Sequence, residues 1–537
     1  MRVTIAATGF PPFMTRSPGY RRRGSLVRSA ARVIALSLVA IAAVGAQVPV
    51  RDTVAEARQL HDAGSLKAVE ELLRPYLENH PDNGDAARIL AQTLYWLKRP
   101  SEARTMYEAA LVRHPEDITL RLDYGRMLVE TSDRTRAREL LAPLRGSAES
   151  RGRAELLLGT LAYWNGDYTA AARLFREALR ADSSQRDARR QLGEILMVTA
   201  PRIQAAADLR HDDQTLDRIS GDVHASWNAT PLLRFTTRVR QMQFHLGDTV
   251  TRGLTAAEVG LSHFAPAARL ETEVAGGWLQ RLGGTSSDWT GRVGLGLRFP
   301  QHVTLRVRAE REPYLYTLAS VSTPVMTQTI GTTLDLDSHG WLGQIAANSE
   351  RYPDANAVST AFVWLLAPLV NTPEGQLQIG YSAAAQNADD GRYVLANPTQ
   401  PYQPGDPRFS TLGVYAPYYT PNNLLAQSVL GAFAVHPGGG VEVHASGALG
   451  IRATDDAPQY KVVTRGAPPS PTVELSYHRR VSALWNVRGS LGAPLSEGWR
   501  LDISGESGRT AFYTYTTASV QLTYTFVAAA RRRAERY

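Results

Sequence analysis

The sequence contains no cysteine. That excludes a disulfide scaffold, thiolate-ligated zinc, an iron–sulfur cluster, a thiol nucleophile and a lipid-anchored cysteine. Beyond its first segment the chain also lacks any apolar run near the ~18 residues that a membrane-spanning helix needs. The mean hydropathy of −0.25 agrees. Neither fact bears on a β-barrel, whose strands are only half apolar. Acidic residues are missing from residues 1–46, which hold seven arginines. The formal charge of +8 sits mostly there, and the rest of the chain has 52 basic against 51 acidic residues. A near-neutral body carries no basic footprint for nucleic acid, which is excluded as a partner.

Recognisable catalytic patterns are missing too. There is no His-Glu-x-x-His, no Gly-x-Ser-x-Gly and no phosphate-cradling Gly-rich Lys loop. The adjacent acids Asp212-Asp213, Asp389-Asp390 and Asp455-Asp456 read as solvated turns in a linker or loops, since chain neighbours rarely converge on one bond. The 12 histidines show no metal spacing. A chain that is not an enzyme and has no cofactor or metal is the expectation.

Residues 1–46 read as a signal peptide. Arg21, Arg22, Arg23, Arg28 and Arg32 precede the apolar run Val33–Val44, and Val44-Gly45-Ala46 offers a small-residue cleavage site before Gln47. Met14 provides a shorter alternative start, and an uncleaved anchor helix is the other reading.

Residues 50–200 repeat with a period of 34. Val69, Ala103, Ala137 and Ala171 recur at that spacing, followed four residues on by Leu73, Tyr107, Leu141 and Phe175, and three further on by Tyr76, Ala110, Leu144 and Ala178. Pro81, Pro115, Glu149 and Ser183 fall at turn positions. Small residues allow two helices to approach, and the large residue one turn on shares their face. This is the pattern of tetratricopeptide repeats, with Ala103, Tyr107, Ala110, Ala171, Phe175 and Ala178 as packing positions. About four units and a capping helix at 186–198 are expected. The stack offers a groove for a partner protein, or serves as a spacer. Tyr95, Trp96, Tyr163 and Trp164 fit either a groove or the inter-helix core.

A linker is read at 201–219, and over 220–526 the period becomes 2. Val303, Leu305, Val307 and Ala309 alternate with Arg306, Arg308, Glu310 and Glu312. Residues 289–299, 441–452 and 518–526 alternate in the same way. Each strand therefore has one apolar and one polar face. Charged residues at strand centres and Trp or Tyr near strand ends (Trp278, Trp289, Trp341, Trp364, Trp485, Trp499, Tyr524) favour a barrel in lipid over a soluble sandwich. The predicted fold class is α + β multidomain: an N-terminal α-solenoid of tetratricopeptide repeats followed by a C-terminal antiparallel transmembrane β-barrel of about 16 strands. The first barrel strand is placed at 220–229 and one at 408–416, with long loops at 313–324, 388–407 and 454–473. A basic tail occupies 527–537.

On the polar faces, Arg234, Arg238, Arg240, Arg292, Arg298, Arg306, Arg308, Glu310, Glu312, Glu442, Arg452, Arg500, Asp502 and Glu506 are candidates to line the lumen. Both signs are present, which suits a hydrated polymer of low net charge, and opposed charges can also pair along the wall.

The segment Tyr415-Ala-Pro-Tyr-Tyr-Thr-Pro-Asn-Asn and the ending around Leu522-Thr-Tyr-Thr-Phe526 resemble stretches of the C-terminal barrel of the cellulose synthase operon protein C family. The resemblance covers about residues 50–526. It implies an outer-membrane export channel for an exopolysaccharide, with periplasmic repeats serving synthase components in the periplasm or inner membrane. It also singles out Tyr415, Tyr418, Tyr419 and Pro421; the three tyrosine rings can stack on sugars at a pore mouth or anchor the wall at the membrane interface. A barrel that secretes or displays proteins or lipoproteins, and a periplasmic adaptor with a soluble β-domain, are the alternatives.

Overall fold

The structure is a computed structural model. It describes residues 52–247, 250–282, 287–299, 302–338, 340–372, 374–396, 411–465 and 470–528. The signal peptide and its start, most of the basic tail and the proline-rich stretch 397–407 lie outside these residues. The described chain forms two units.

The first unit is a stack of paired helices: α1 (Thr53–Asp62), α2 (Leu66–Asn79), α3 (Gly84–Trp96), α4 (Pro100–Arg113), α5 (Ile118–Glu130), α6 (Arg134–Leu141), α7 (Ala148–Trp164), α8 (Tyr168–Ala181) and α9 (Arg186–Val198). The second helices of the pairs begin at Leu66, Pro100, Arg134 and Tyr168, 34 residues apart. Asp133 and Asp167 cap α6 and α8, and Asn83 and Asp117 cap α3 and α5, each side chain accepting from an otherwise unpaired N–H.

Ala103, Tyr107, Ala110, Ala171, Phe175 and Ala178 are all buried. Their small partners are required by distance. A Cβ on Gly159 would meet the Phe175 ring at 2.6 Å, and one on Gly125 would meet Leu141 at 2.5 Å. The third pair departs from the period. Pro143 ends α6 early in a 3-10 turn, Pro143–Gly146, and α7 starts at Ala148. Glu149, expected at a turn, lies in the first turn of α7.

The second unit is a closed antiparallel barrel. Its strands are β1 (Arg202–Asp212), β2 (Leu216–Thr230), β3 (Leu233–Leu246), β4 (Val250–Ala265), β5 (Leu270–Arg281), β6 (Ser287–Arg298), β7 (Val303–Tyr314), β8 (Val325–Ser338), β9 (Trp341–Arg351), β10 (Ala357–Asn371) and β11 (Gly375–Ala388). After a two-stranded ribbon, β12 (Tyr393–Leu395) with β13 (Gly413–Tyr415), follow β14 (Leu424–Gly438), β15 (Val441–Arg465), β16 (Ser470–Ser482), β17 (Trp485–Ser496), β18 (Trp499–Arg509) and β19 (Thr514–Thr525). A short helix, α10 (Leu318–Ser322), lies between β7 and β8.

β16 and β17 are two halves of one wall strand, because both pair along the long β15. The wall thus has 16 strands, closed by β19 against β1. The number agrees with the expectation through two offsetting differences. Residues 202–212, read as linker, form β1. Of the strand expected at 408–416, the described residues 411–416 hold only β13, outside the wall, and the rest lies outside the described residues. Residues 454–465, expected in a loop, continue β15, so Asp455 and Asp456 lie on a strand.

Strands of 11 to 16 residues over most of the wall exceed the ~9–11 needed to cross a bilayer. Outward side chains form an exposed apolar band that includes Val239, Val259, Val293, Ile330, Ile345, Val487 and Ile503. Outward Trp227, Trp341 and Trp499 mark one end, and Trp278, Trp289 and Trp485 the other. Trp364, expected among them, instead lies on the inner face, packed with Leu366 and Leu430. This lipid-compatible exterior fits an outer-membrane location. No helix among the described residues is long and apolar enough to cross a membrane.

The two ends of the barrel differ. Both barrel termini and the tight turns, such as 231–232 and 439–440, lie at one end. The α10 connection and residues 389–396 and 411–423 lie at the other.

Candidate functional site

Cross-strand register fixes which residues face the lumen, because directly paired residues share a face. Arg234, Arg238 and Arg240 lie on the inner face of β3, and Arg292 and Arg298 on that of β6. Arg306, Arg308, Glu310 and Glu312 line β7, Glu442 lines β15, and Arg500, Asp502 and Glu506 line β18. Arg452 does not join them. A bulge at Ile451 sets Arg452 opposite outward Gln427, while Gly450 sits opposite inward Ser428. The extra residue inverts the alternation that the sequence carries across 441–452.

The inward charges are mostly joined sideways. Asp222 receives both Arg238 and Arg240. Arg292 bridges Glu273 at 2.8 Å and Glu258 at 3.2 Å. Arg298 meets Glu271 at 3.1 Å, Arg306 pairs with Asp335, and Arg308 stands 3.4 Å from Glu310. Arg500 links Glu442 and Asp502, each at 2.9 Å, and Tyr515 donates to Glu506 at 2.6 Å. The carboxylate partners Asp222, Glu258, Glu271, Glu273 and Asp335 were legible only as opposite charges at cross-strand positions, which needs the register. From β9 to β14 the inner face turns mostly neutral, with Gln344, Asn348, Gln378, Ser382, Gln386 and Ser428, and Glu350 of β9 as a buried acid among them.

At the end carrying the long connections, aromatic side chains span the mouth. The connection after β7 and the β18–β19 turn stand on opposite sides of a 16-strand ring. The Gln214 side-chain amide, between β1 and β2, donates to the Tyr316 carbonyl at 3.1 Å. The Arg210 guanidinium lies 5.5 Å from the Tyr316 ring, 5.2 Å from Tyr513 and 4.9 Å from Tyr515. Val321 of α10 packs with Leu216, Met242, Phe244, Leu254 and Leu279 on the inner faces of β2 to β5.

The family-motif residues complete the span. Tyr418 and Tyr419 are buried in the mouth, not set in the outer girdle. The Tyr419 N–H donates to the Tyr314 hydroxyl at 3.2 Å, and its ring stacks on Phe512 at 4.2 Å. Tyr415 meets both Tyr419 and Phe512 edge-on. The Pro421 carbonyl accepts from the Ala388 N–H at 2.8 Å.

Tyr418 stacks on Tyr352 at 3.4 Å, donates to Asp354 at 2.7 Å and accepts from Asn356 at 3.1 Å. Arg392 closes on the same Asp354 at 2.7 Å, and the Thr317 hydroxyl donates to the Pro417 carbonyl at 2.5 Å. Burial, together with the Asp354 carboxylate, pushes the Tyr418 phenol up to about 12. Burial alone would raise the Asp354 carboxyl, but the Tyr418 hydroxyl and the Arg392 guanidinium hold it below its ordinary value. Nothing in the sequence sets Asp354, Asn356 and Arg392 apart from other turn residues.

On the helical stack, Trp96 stacks on His61 at 4.3 Å and is partly exposed, and Trp164 is about half exposed. Tyr163 donates to Glu194 at 3.0 Å. These residues sit at the ends of α3 and α7, outside the buried core. Among the described residues, no group of three or more acidic or histidine side chains is placed to hold a metal ion.

Two family matches agree with the helical unit: both are to tetratricopeptide repeat models, over residues 60–117 and 156–209. No curated protein matches the sequence. Among solved structures, a bacterial polysaccharide outer membrane secretin is similar at 8% identity and TM-score 0.44, covering 61% of this chain and 99% of its own. CdiB from Acinetobacter baumannii is similar at 12% identity and TM-score 0.35, covering 60% of each chain. PilF of Pseudomonas aeruginosa is similar at 21% identity and TM-score 0.26, covering 27% of this chain and 66% of its own. The helical unit carries tetratricopeptide repeats, and the second unit is a closed antiparallel barrel of 16 strands.

Proposed function

We propose that the protein is an outer-membrane export channel for an exopolysaccharide of low net charge, passed without chemical change. The observation that carries this reading is the inner wall. Many of its arginines are matched by carboxylates in lateral pairs, and a broad, mostly neutral sector offers amides and hydroxyls. A barrel of this width keeps an aqueous lumen. A hydroxyl-rich polymer crossing it meets many weak donors and acceptors and no field of one sign to trap it.

The barrel sits in outer-membrane lipid, with its tight turns toward the periplasm and its long connections outside, the usual arrangement of such barrels. This reading assigns the repeats to the periplasm, the side of the tight turns. There the stack recruits synthase components of the periplasm or inner membrane. The mouth rings present stacking faces to the emerging sugars. The side chains of the conduit bind and release, and the chain is not an enzyme.

Planar-bilayer recording tests the proposal. The wild type should conduct weakly, and the double variant Tyr418→Ala/Tyr419→Ala should conduct several-fold more. Neutral gluco-oligosaccharides should block that current transiently, with residence growing with length. Block by unfolded peptides but not by neutral oligosaccharides would replace this reading with protein secretion.

A further inference from the structure

The arginines of the barrel differ by face. Those turned inward at β3, β6, β7 and β18 largely have acidic partners. Outside, at the end bearing the long connections, Arg452 of β15, Arg479 of β16 and Arg509 of β18 are exposed and have no acidic partner among the described residues. Register puts all three on the lipid-facing side: Arg452 opposite Gln427, Arg479 opposite Asp456, and Arg509 opposite the girdle residue Trp485. Asp456, the acid on this face, is engaged by the Asn423 amide at 2.8 Å. Exposed Val429, Leu449, Tyr477 and Val481 surround them.

An unpaired guanidinium beside lipid is costly unless it reaches an anion at the interface. The bulge at Ile451 is what turns Arg452 to this side; without it Arg452 would face the lumen.

We propose that the outer face of β15 to β18 binds a phosphate-bearing acylated glycolipid of the outer leaflet. The acyl chains lie on the apolar side chains, and the sugar phosphates sit between Arg452, Arg479 and Arg509. Guanidinium suits this role because its planar fork pairs two donors with a phosphate. The inference rests on the outer-membrane reading above.

Native mass spectrometry of the detergent-purified full chain, incubated with diphosphoryl lipid A or with phosphatidylglycerol, tests it. Wild type should retain diphosphoryl lipid A, and Arg452→Gln/Arg479→Gln/Arg509→Gln should retain about ten-fold less, as expected for losing charge-assisted phosphate contacts. Retention of phosphatidylglycerol should not change. Equal lipid A retention by variant and wild type, or a wild-type preference for phosphatidylglycerol, overturns the proposal. A heat-shifted gel band and bilayer insertion are read on the same samples. Where both persist, a negative lipid result sinks the glycolipid site alone; a wild type that neither shifts nor inserts sinks the membrane reading and the site with it. Should the triple variant fail to shift, the singles Arg452→Gln and Arg479→Gln are expected each to lose part of the retention, and no loss in either overturns the site.

Discussion

At the residue scale, the mouth is held by a few polar contacts around one carboxylate. Asp354 takes the Tyr418 hydroxyl and the Arg392 guanidinium, and it lies below its ordinary pKa. A depressed carboxyl contributes in full above the unfolded value of about 3.9 and loses that contribution as pH falls through the folded value. Channel openings should therefore be rare and unchanged between about pH 8 and 5, then more frequent below about pH 4. Asp354→Asn should open at neutral pH as the wild type does in acid. Bilayer recordings across pH check both, and an Asp354→Asn channel that opens no more often than the wild type at neutral pH would show that this carboxylate does not hold the mouth. The sequence marked Tyr418 and Tyr419 by resemblance, while Asp354 and Arg392 look like ordinary turn residues until folding brings together positions tens of residues apart. Arg452 shows the reverse: its alternation was clear, but a single inserted residue inverted its meaning.

At the scale of elements, periodicity carried most of the fold. The repeat spacing survives as helix starts 34 residues apart. It breaks where Pro143 removes the backbone donor that α6 would need to continue. Gly159→Val should destabilise the stack by about 1–3 kcal/mol, because the added methyls push into the Phe175 ring. Chemical denaturation of the full chain followed by helical circular dichroism checks this. β1 escaped the sequence reading because its outward residues, Ile203, Ala205, Ala207 and Leu209, include two alanines and give a faint apolar face. The upper half of β15 is hidden in the sequence because Asp455-Asp456 looks like a turn, although Arg480 meets Asp455 at 2.5 Å across the strand pair. Deleting Ile451 should invert the upper half of β15 and turn Asp455 away from Arg480. Breaking such a pair costs about 3–5 kcal/mol. The temperature at which the compact gel band is lost should fall accordingly.

At the scale of the whole molecule, paired wall charges predict a channel that hardly distinguishes small ions by sign. In a potassium chloride gradient, the opened Tyr418→Ala/Tyr419→Ala channel should reverse close to zero potential. A reversal near the chloride or potassium limit would mean that one sign dominates the lumen and would contradict a neutral cargo. The wall is also sealed by its first and last strands, Arg202 facing Thr525 across more than 300 residues of chain. Sealing of that kind cannot begin until synthesis has run nearly to its end, whereas every helix pair of the repeats finds its partners within a few dozen residues. The helical unit can therefore be finished, and available to other proteins, while the barrel is still an open sheet awaiting its last edge.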